Sequence, residues 1–241
     1  MRAESPPGPR PVNRYCFKAA MAVLKPFFDG YLRTHVSGRE HLPAPGVATI
    51  VAVNHTSNLD VFAMGYAVHR PAYFITKAEA TRIALFGRFL LSVGAIPANR
   101  DQRDTAALRQ TREVLEHGWL LGIAPEGTRS RDGTLRAYDP GFVWLAARTG
   151  AVIVPAAIHG AHALWPRGAT LPRRGEVWIR FGEPLSLAAE GRPSRDRLAA
   201  LAEAVRGRTL AMLADLAAET GVPNPAVVGS VAPSADGGLP T

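Results

Sequence analysis

The chain has 241 residues, 47% hydrophobic and 20% charged, which suffices for one domain with a substantial core and is ordinary for a globular protein. A formal charge of +8 suits a phosphorylated ligand or an anionic membrane surface, while the scattering of its arginines among apolar segments speaks against nucleic acid. Cys16 is the single cysteine, so no intrachain disulfide forms, and the Pro- and charge-rich start MRAESPPGPRPVNR lacks the apolar run of a signal peptide.

In chain order, residues 1–12 read as disordered, because Pro and Gly dominate and no apolar period appears. From Arg14 to Leu32, Tyr15, Ala19, Ala22, Val23, Phe27 and Tyr31 recur at helical intervals, with Lys18, Lys25 and Arg33 among them. This predicts an amphipathic helix interrupted near Pro26, packed on the core or laid on a membrane surface, and the two are compatible. GREHLPAPG is a turn-rich connector into an apolar strand over 47–53. A helix follows over 61–68, then a strand in AYFITKAEA, a helix in IALFGRFLLSVG expected to be buried, and a short strand at Ala95-Ile96. DTAALRQTREVLEHG is a helix with Asp104 or Thr105 as N-cap and Gly118 as C-cap. WLLGIAPEGTRS is again an apolar strand running into a polar turn. A helix over 140–149, the strand AVIVPAAIHG, the strand EVWIRFG and a long helix over 194–219 complete the pattern. Residues 221–241 read as a disordered tail. Alternating strands and helices imply one α/β domain over 13–220, with ligands bound beyond the strand ends. No apolar stretch reaches the ~20 residues of a membrane span.

The chemistry-bearing residues gather at two such ends. In AVNHTSNLDVF a core strand delivers Asn54, His55 and Asp60 into one short turn. Across a loop-to-helix corner the Asp60 carboxylate can reach His55 Nδ1 and leave Nε2 to take a proton from a hydroxyl. The same pair also fits a helix cap beside a polar corner. In APEGTRS, Glu126, Gly127, Thr128 and Arg129 supply a carboxylate, an approachable backbone, a hydroxyl and a guanidinium, a set suited to a phosphate monoester or to a solvated surface turn. GAIPANR ends in Arg100 and FITKAEA carries Lys77, two further cations for the same sheet edge. His159 and His162 lack the acidic or cysteine neighbours of a metal site, and Cys16 reads as a packing residue.

These motifs resemble, in order, the four blocks of the glycerolipid acyltransferase family, the lysophosphatidic acid acyltransferases. Asn54 to Asp60 matches N-H-x-x-x-x-D, Gly94 to Arg100 the second block, Glu126 to Arg129 E-G-T-R, and Val154-Pro155-Ala156-Ala157 the fourth. The resemblance covers about residues 14–210 and implies a mixed sheet flanked by helices, with an N-terminal amphipathic segment over 13–33. By that resemblance His55 is the general base, oriented by Asp60, on an acceptor hydroxyl that attacks an acyl thioester directly. Lys77, Arg100, Glu126, Gly127, Thr128 and Arg129 form the acceptor's phosphate region, and Asn54 and Pro155 shape the pocket. The implied partners are acyl-CoA or acyl carrier protein as co-substrate, a lysophospholipid acceptor and a membrane surface. No cofactor or metal is expected, and the implied place is the cytoplasmic face of the cell membrane, attached peripherally. Asp139 places an acidic residue close to the expected phosphate site, which leaves room for another lipid or glycolipid acceptor. A non-catalytic lipid binder is the third expectation.

Overall fold

The computed structural model describes residues 11–99, 104–166, 168–187 and 193–228. The first helix, α1 (Arg14–Pro26), is started by Asn13, whose side chain accepts from the Tyr15 and Cys16 amides. Pro26 has no N–H to donate, and the chain loosens there into a π-helical turn over Phe27–Tyr31. That turn buries Phe28 completely and stacks it on Tyr66 at 4.9 Å, while the Tyr66 hydroxyl donates to Asp29.

Among the described residues seven strands form one mixed sheet in the order β1-β7-β6-β2-β5-β3-β4. They are β1 (His35–Ser37), β2 (Thr49–Val53), β3 (Tyr73–Lys77), β4 (Ala95–Ala98), β5 (Leu120–Ile123), β6 (Val152–His159) and β7 (Trp178–Phe181). All neighbours are parallel except β6 and β7. Every residue of β2 is buried, as befits a central parallel strand covered on both faces. Side chains such as Val51 and Val53 face one helical layer, and Ile50 and Ala52 face the other. On the first side lie α1, α2 (Leu59–Val68), α3 (Ala78–Thr81) and α4 (Ala84–Ser92). On the second lie α5 (Thr105–Glu116), α6 (Gly141–Thr149) and α8 (Arg195–Thr220). Two single turns, α7 (Ala161–Leu164) and α9 (Pro225–Val228), complete the set.

One feature of the sheet positions the site. β3 pairs with β5 only at Tyr73–Leu121 and Phe74–Gly122, then continues with β4 as far as Lys77 and Ala98. The sheet therefore forks beyond Phe74. Gly122 stands in the fork, where a Cβ would lie 2.2 Å from the Met64 methyl group unless that side chain moved.

Three expectations change. The helix expected to be buried over 83–94 forms as α4 but buries only Gly87 and Leu90, because only one side of it meets the sheet. Residues 221–228 are not a loose tail: Asn224 is buried, its amide donates to His159 at 2.7 Å, and Ala226 packs with Met212, Leu213 and Leu216. Residues 11 and 12, expected to be disordered, join the fold, with Val12 packed on the core. β1 has no counterpart in the sequence reading. The expectations for residues 1–10 and 229–241 lie outside the described residues.

Candidate active site

β2 and β5 are neighbours in register from Thr49–Leu120 to Ala52–Ile123, so the polar turns that follow them emerge side by side at the carboxyl edge of the sheet. Within the first turn, His55 Nδ1 donates to Asp60 Oδ2 at 2.9 Å. The same oxygen accepts the amides of Thr56 at 2.7 Å and Ser57 at 2.8 Å. Three donors on one oxygen fix the carboxylate, and a carboxylate that only accepts fixes the imidazole with its proton on Nδ1. Nε2 is left as an acceptor. The His55 side chain is 12% exposed and that of Asp60 2%, so the imidazole reaches the surface and its partner does not.

The second turn holds the first in place. Glu126 Oε1 accepts the His55 amide at 2.7 Å, and Glu126 Oε2 accepts the Arg136 amide at 3.1 Å. The Ser130 amide donates to the His55 carbonyl at 2.8 Å. Burial pushes the Glu126 carboxyl up to about 7, against the pull of its two main-chain donors. Arg129 donates to Asn58 Oδ1, at the residue preceding α2, and so ties the E-G-T-R turn to the helix that carries Asp60. Gly127 holds φ at 69° in a turn closed by its amide on the Ala124 carbonyl, a conformation few other residues adopt cheaply. Asp132 closes the rest of the loop, its carboxyl held low by the hydroxyls of Thr134 and Ser130 and the Thr134 amide.

A groove of about 510 Å³ opens from His55 into the forked sheet. His55, Asp60 and Gly127 line its mouth. Met64, Phe74, Ile123, Phe142 and Leu145 line the rest, with Leu108 and Trp144 at exposed positions. Two carboxylates also reach it. Asp104 caps α5 through the Ala107 amide at 2.9 Å, and Asp139 accepts from the Gly141 amide at 2.7 Å at the start of α6.

The sequence-derived candidates therefore separate. His55, Asp60, Glu126, Gly127 and Arg129 come together at one corner. Thr128 lies in the same turn, half-buried. Lys77 is exposed at the end of β3, two strands from β2 and thus about 10 Å across the sheet. Arg100 lies outside the described residues. Asn54 shapes the corner from behind, exchanging side-chain bonds of 3.0 and 2.7 Å with the Ile158 carbonyl and amide. Pro155 is buried within β6 opposite Ala52, and its carbonyl accepts the Gly182 amide at 2.8 Å. It is not among the residues lining the groove. His159 makes structural bonds to Thr220 and Asn224. Sequence reasoning missed the groove and the service Glu126 performs for the His55 main chain, since neither leaves a mark in local spacing.

A carboxylate-backed imidazole at the carboxyl edge of an α/β sheet, opening on a largely apolar groove, is an arrangement that can serve as a base beside a ligand with an apolar tail. A family model described as "Acyltransferase" matches residues 33–159. A 1-acyl-sn-glycerol-3-phosphate acyltransferase of Bacillus subtilis (strain 168) is 32% identical over 202 residues, 81% of this chain and 94% of that protein. One of Chlamydomonas reinhardtii is 32% identical over 163 residues, 66% of this chain and 48% of its own length. The chain spans about half the length of the algal and plant relatives it matches. The crystal structure of the 1-acyl-sn-glycerophosphate (LPA) acyltransferase PlsC from Thermotoga maritima superposes with a TM-score of 0.69 at 28% identity. That match covers 81% of this chain and 78% of the other. The chain belongs to the glycerolipid acyltransferase family.

Proposed function

We propose that this protein is an O-acyltransferase that moves a fatty acyl group from acyl-CoA or acyl carrier protein to the free hydroxyl of lysophosphatidate, giving phosphatidate. The observation that carries the reading is the bond from His55 to Asp60 at the mouth of an apolar groove. A binder of lipids needs no oriented base. The acceptor hydroxyl donates its proton to His55 Nε2 as its oxygen attacks the thioester carbonyl. The tetrahedral adduct then collapses, the C–S bond breaks, and the imidazolium returns the proton to the leaving thiolate. No acyl-enzyme forms on the protein. The groove holds the acyl tail, and the cationic residues Arg129, Lys77 and Arg100 are assigned to the acceptor phosphate. The E-G-T-R turn has a double duty in this account, because Glu126 and Arg129 also hold the base in position. The product belongs to phospholipid biosynthesis.

Among the described residues no helix is long and apolar enough to cross a membrane. The proposed attachment is peripheral, at the cytoplasmic face, through the basic helix α1. The test is thiol release from acyl-CoA or acyl carrier protein in the presence of lysophosphatidate. Wild type turns over and His55→Ala does not; turnover by neither refutes the enzyme reading.

Asp104 and Asp139 on the groove wall favour a second reading in which the acceptor carries less negative charge than a phosphate monoester. A panel of lysolipid and glycolipid acceptors decides: turnover confined to a neutral or zwitterionic acceptor selects it.

A further inference from the structure

Helix α4 and the residue before it have the composition of a core element and the environment of a surface. Ile83, Leu85, Phe86, Phe89 and Leu91 are 59%, 81%, 46%, 38% and 47% exposed. Single exposed apolar side chains are ordinary, but Leu85, Phe86 and Phe89 share one face of α4 by helical spacing, with Ile83 and Leu91 exposed at its two ends, and such a concentration marks an interaction surface. The patch is framed by cations. Between Lys77 and Ser92 the chain carries Lys77, Arg82 and Arg88 against one acid, Glu79, and all four are exposed. Beside it packs α1, tied on by the Asn13 amide to the Ser92 carbonyl at 2.8 Å. That helix carries Arg14, Lys18 and Lys25 with no acid between Arg14 and Pro26, and exposes Tyr15 and Val23 at 68% and 70%.

An apolar centre with a basic border matches an anionic bilayer, whose acyl region takes the side chains and whose headgroups take the arginines. α4 also links β3 to β4, the two strands that diverge from β5 to make the groove, so a membrane held against it lies beside the fork. We infer that α4, with Ile83, is an insertion surface that seats this protein on anionic membranes and brings the groove to its lipid. The attachment proposed above for α1 alone thereby becomes a two-helix surface. Delivery of the acceptor rests on the acyltransferase reading; membrane seating does not.

The full chain is floated with vesicles of phosphatidylcholine alone and of phosphatidylcholine with phosphatidylglycerol. Wild type partitions onto the anionic vesicles. The triple variant Leu85→Gln/Phe86→Gln/Phe89→Gln loses about tenfold or more of that partition while still showing a cooperative thermal unfolding transition. Should the triple variant misfold, Leu85→Gln alone, at the most exposed position of the patch, shows a loss of about threefold. Arg82→Gln/Arg88→Gln weakens binding and flattens its dependence on salt. Turnover of a short-chain acceptor dissolved as monomers stays at the wild-type rate in the triple variant, whereas turnover of vesicle-borne acceptor falls about tenfold. A chain without turnover on either acceptor refutes the enzyme and leaves the flotation result standing. Wild type that fails to float, a folded variant that floats as well as wild type, or sedimentation showing a dimer that the triple variant abolishes overturns the membrane assignment.

Discussion

The corner between β2 and β5 and the flank formed by β3, α4 and β4 are built from opposite materials. At the corner polar bonds are dense: Asp60 Oδ2 takes three donors while its Oδ1 is buried without a partner, Glu126 takes two amides, and Asn54 ties the turn to β6. The flank has a two-residue seam to the rest of the sheet and an apolar surface turned outward. On the proposed function, the difference teaches that this fold separates placing a base from accommodating a lipid. The first requires fixed bonds in a half-dry site, and the second requires an opening among side chains that yield.

The largest effect that tests the division is His55→Ala. It should lower thiol release by roughly 10²–10⁴-fold, the ordinary scale for losing a general base, while the thermal midpoint holds. Next is Glu126→Gln, aimed at the frame around His55. A glutamine keeps one acceptor and turns an N–H₂ toward the other amide, so stability should fall by about 1–3 kcal/mol and turnover should fall with it. The carboxyl also gives a pH signature. Burial raises it to about 7 in the folded state, so the native form favours the proton. Its contribution is complete at pH below the ordinary glutamate range and is lost as pH rises toward about 7. Glu126→Gln removes that slope, which chemical denaturation at a series of pH values measures directly. An unchanged slope breaks the assignment of Glu126 as the buried brace.

On the flank the matching test is Gly122→Ala. The added methyl meets the Met64 side chain at 2.2 Å, and Met64 must shift within the groove. Because the obstructing atoms are the end of a flexible side chain beside an open groove, the cost in stability should stay below about 1 kcal/mol, the low end for overpacking. With the proposed activity, the preferred acyl chain should become shorter, and Gly122→Ala/Met64→Ala should restore the longer one. Chain-length profiles of the two variants read this out. Identical profiles would remove Met64 from the lipid's path.

Much of the corner was legible before any coordinates. VATIVAV and WLLGI read as core strands and their polar followers as loops, and Asp104 and Gly118 bracket α5 as their chemistry requires. Pro26 marked the break in the first helix. What escaped has physical reasons. The partner of Glu126 is a main-chain N–H 71 residues away, and a backbone amide carries no residue identity to read. β1 is three residues long and satisfied by β7 far along the chain. α4 misled because an apolar composition reports that a surface avoids water and does not say whether protein or lipid covers it. Residues 221–228 carry tail-like Pro and Gly, yet Asn224 and Ala226 find buried partners on β6 and α8.

That last contact yields the smallest test, and it asks whether the corner is braced from behind. A cavity of about 110 Å³ lies between the C-terminal segment and the turn after β2, lined by Asn54, Thr56, His159 and Asn224. Asn224→Ala removes the donor to His159 and frees residues 221–228, at about 1–2 kcal/mol for a buried bond left half-made. Burial holds the His159 imidazole below its ordinary value, so the neutral ring belongs to the native state. Stability from this group is present above the ordinary histidine range and is lost as pH falls, the opposite sense to Glu126. Asn224→Ala admits water to the ring and should therefore soften the acid limb of the stability profile while leaving the limb governed by Glu126 intact. Turnover at neutral pH should stay close to wild type if the bonds from Asn54 to Ile158 suffice to hold the corner. A loss approaching that of Glu126→Gln would extend the rigid region through β6 to the C-terminal segment.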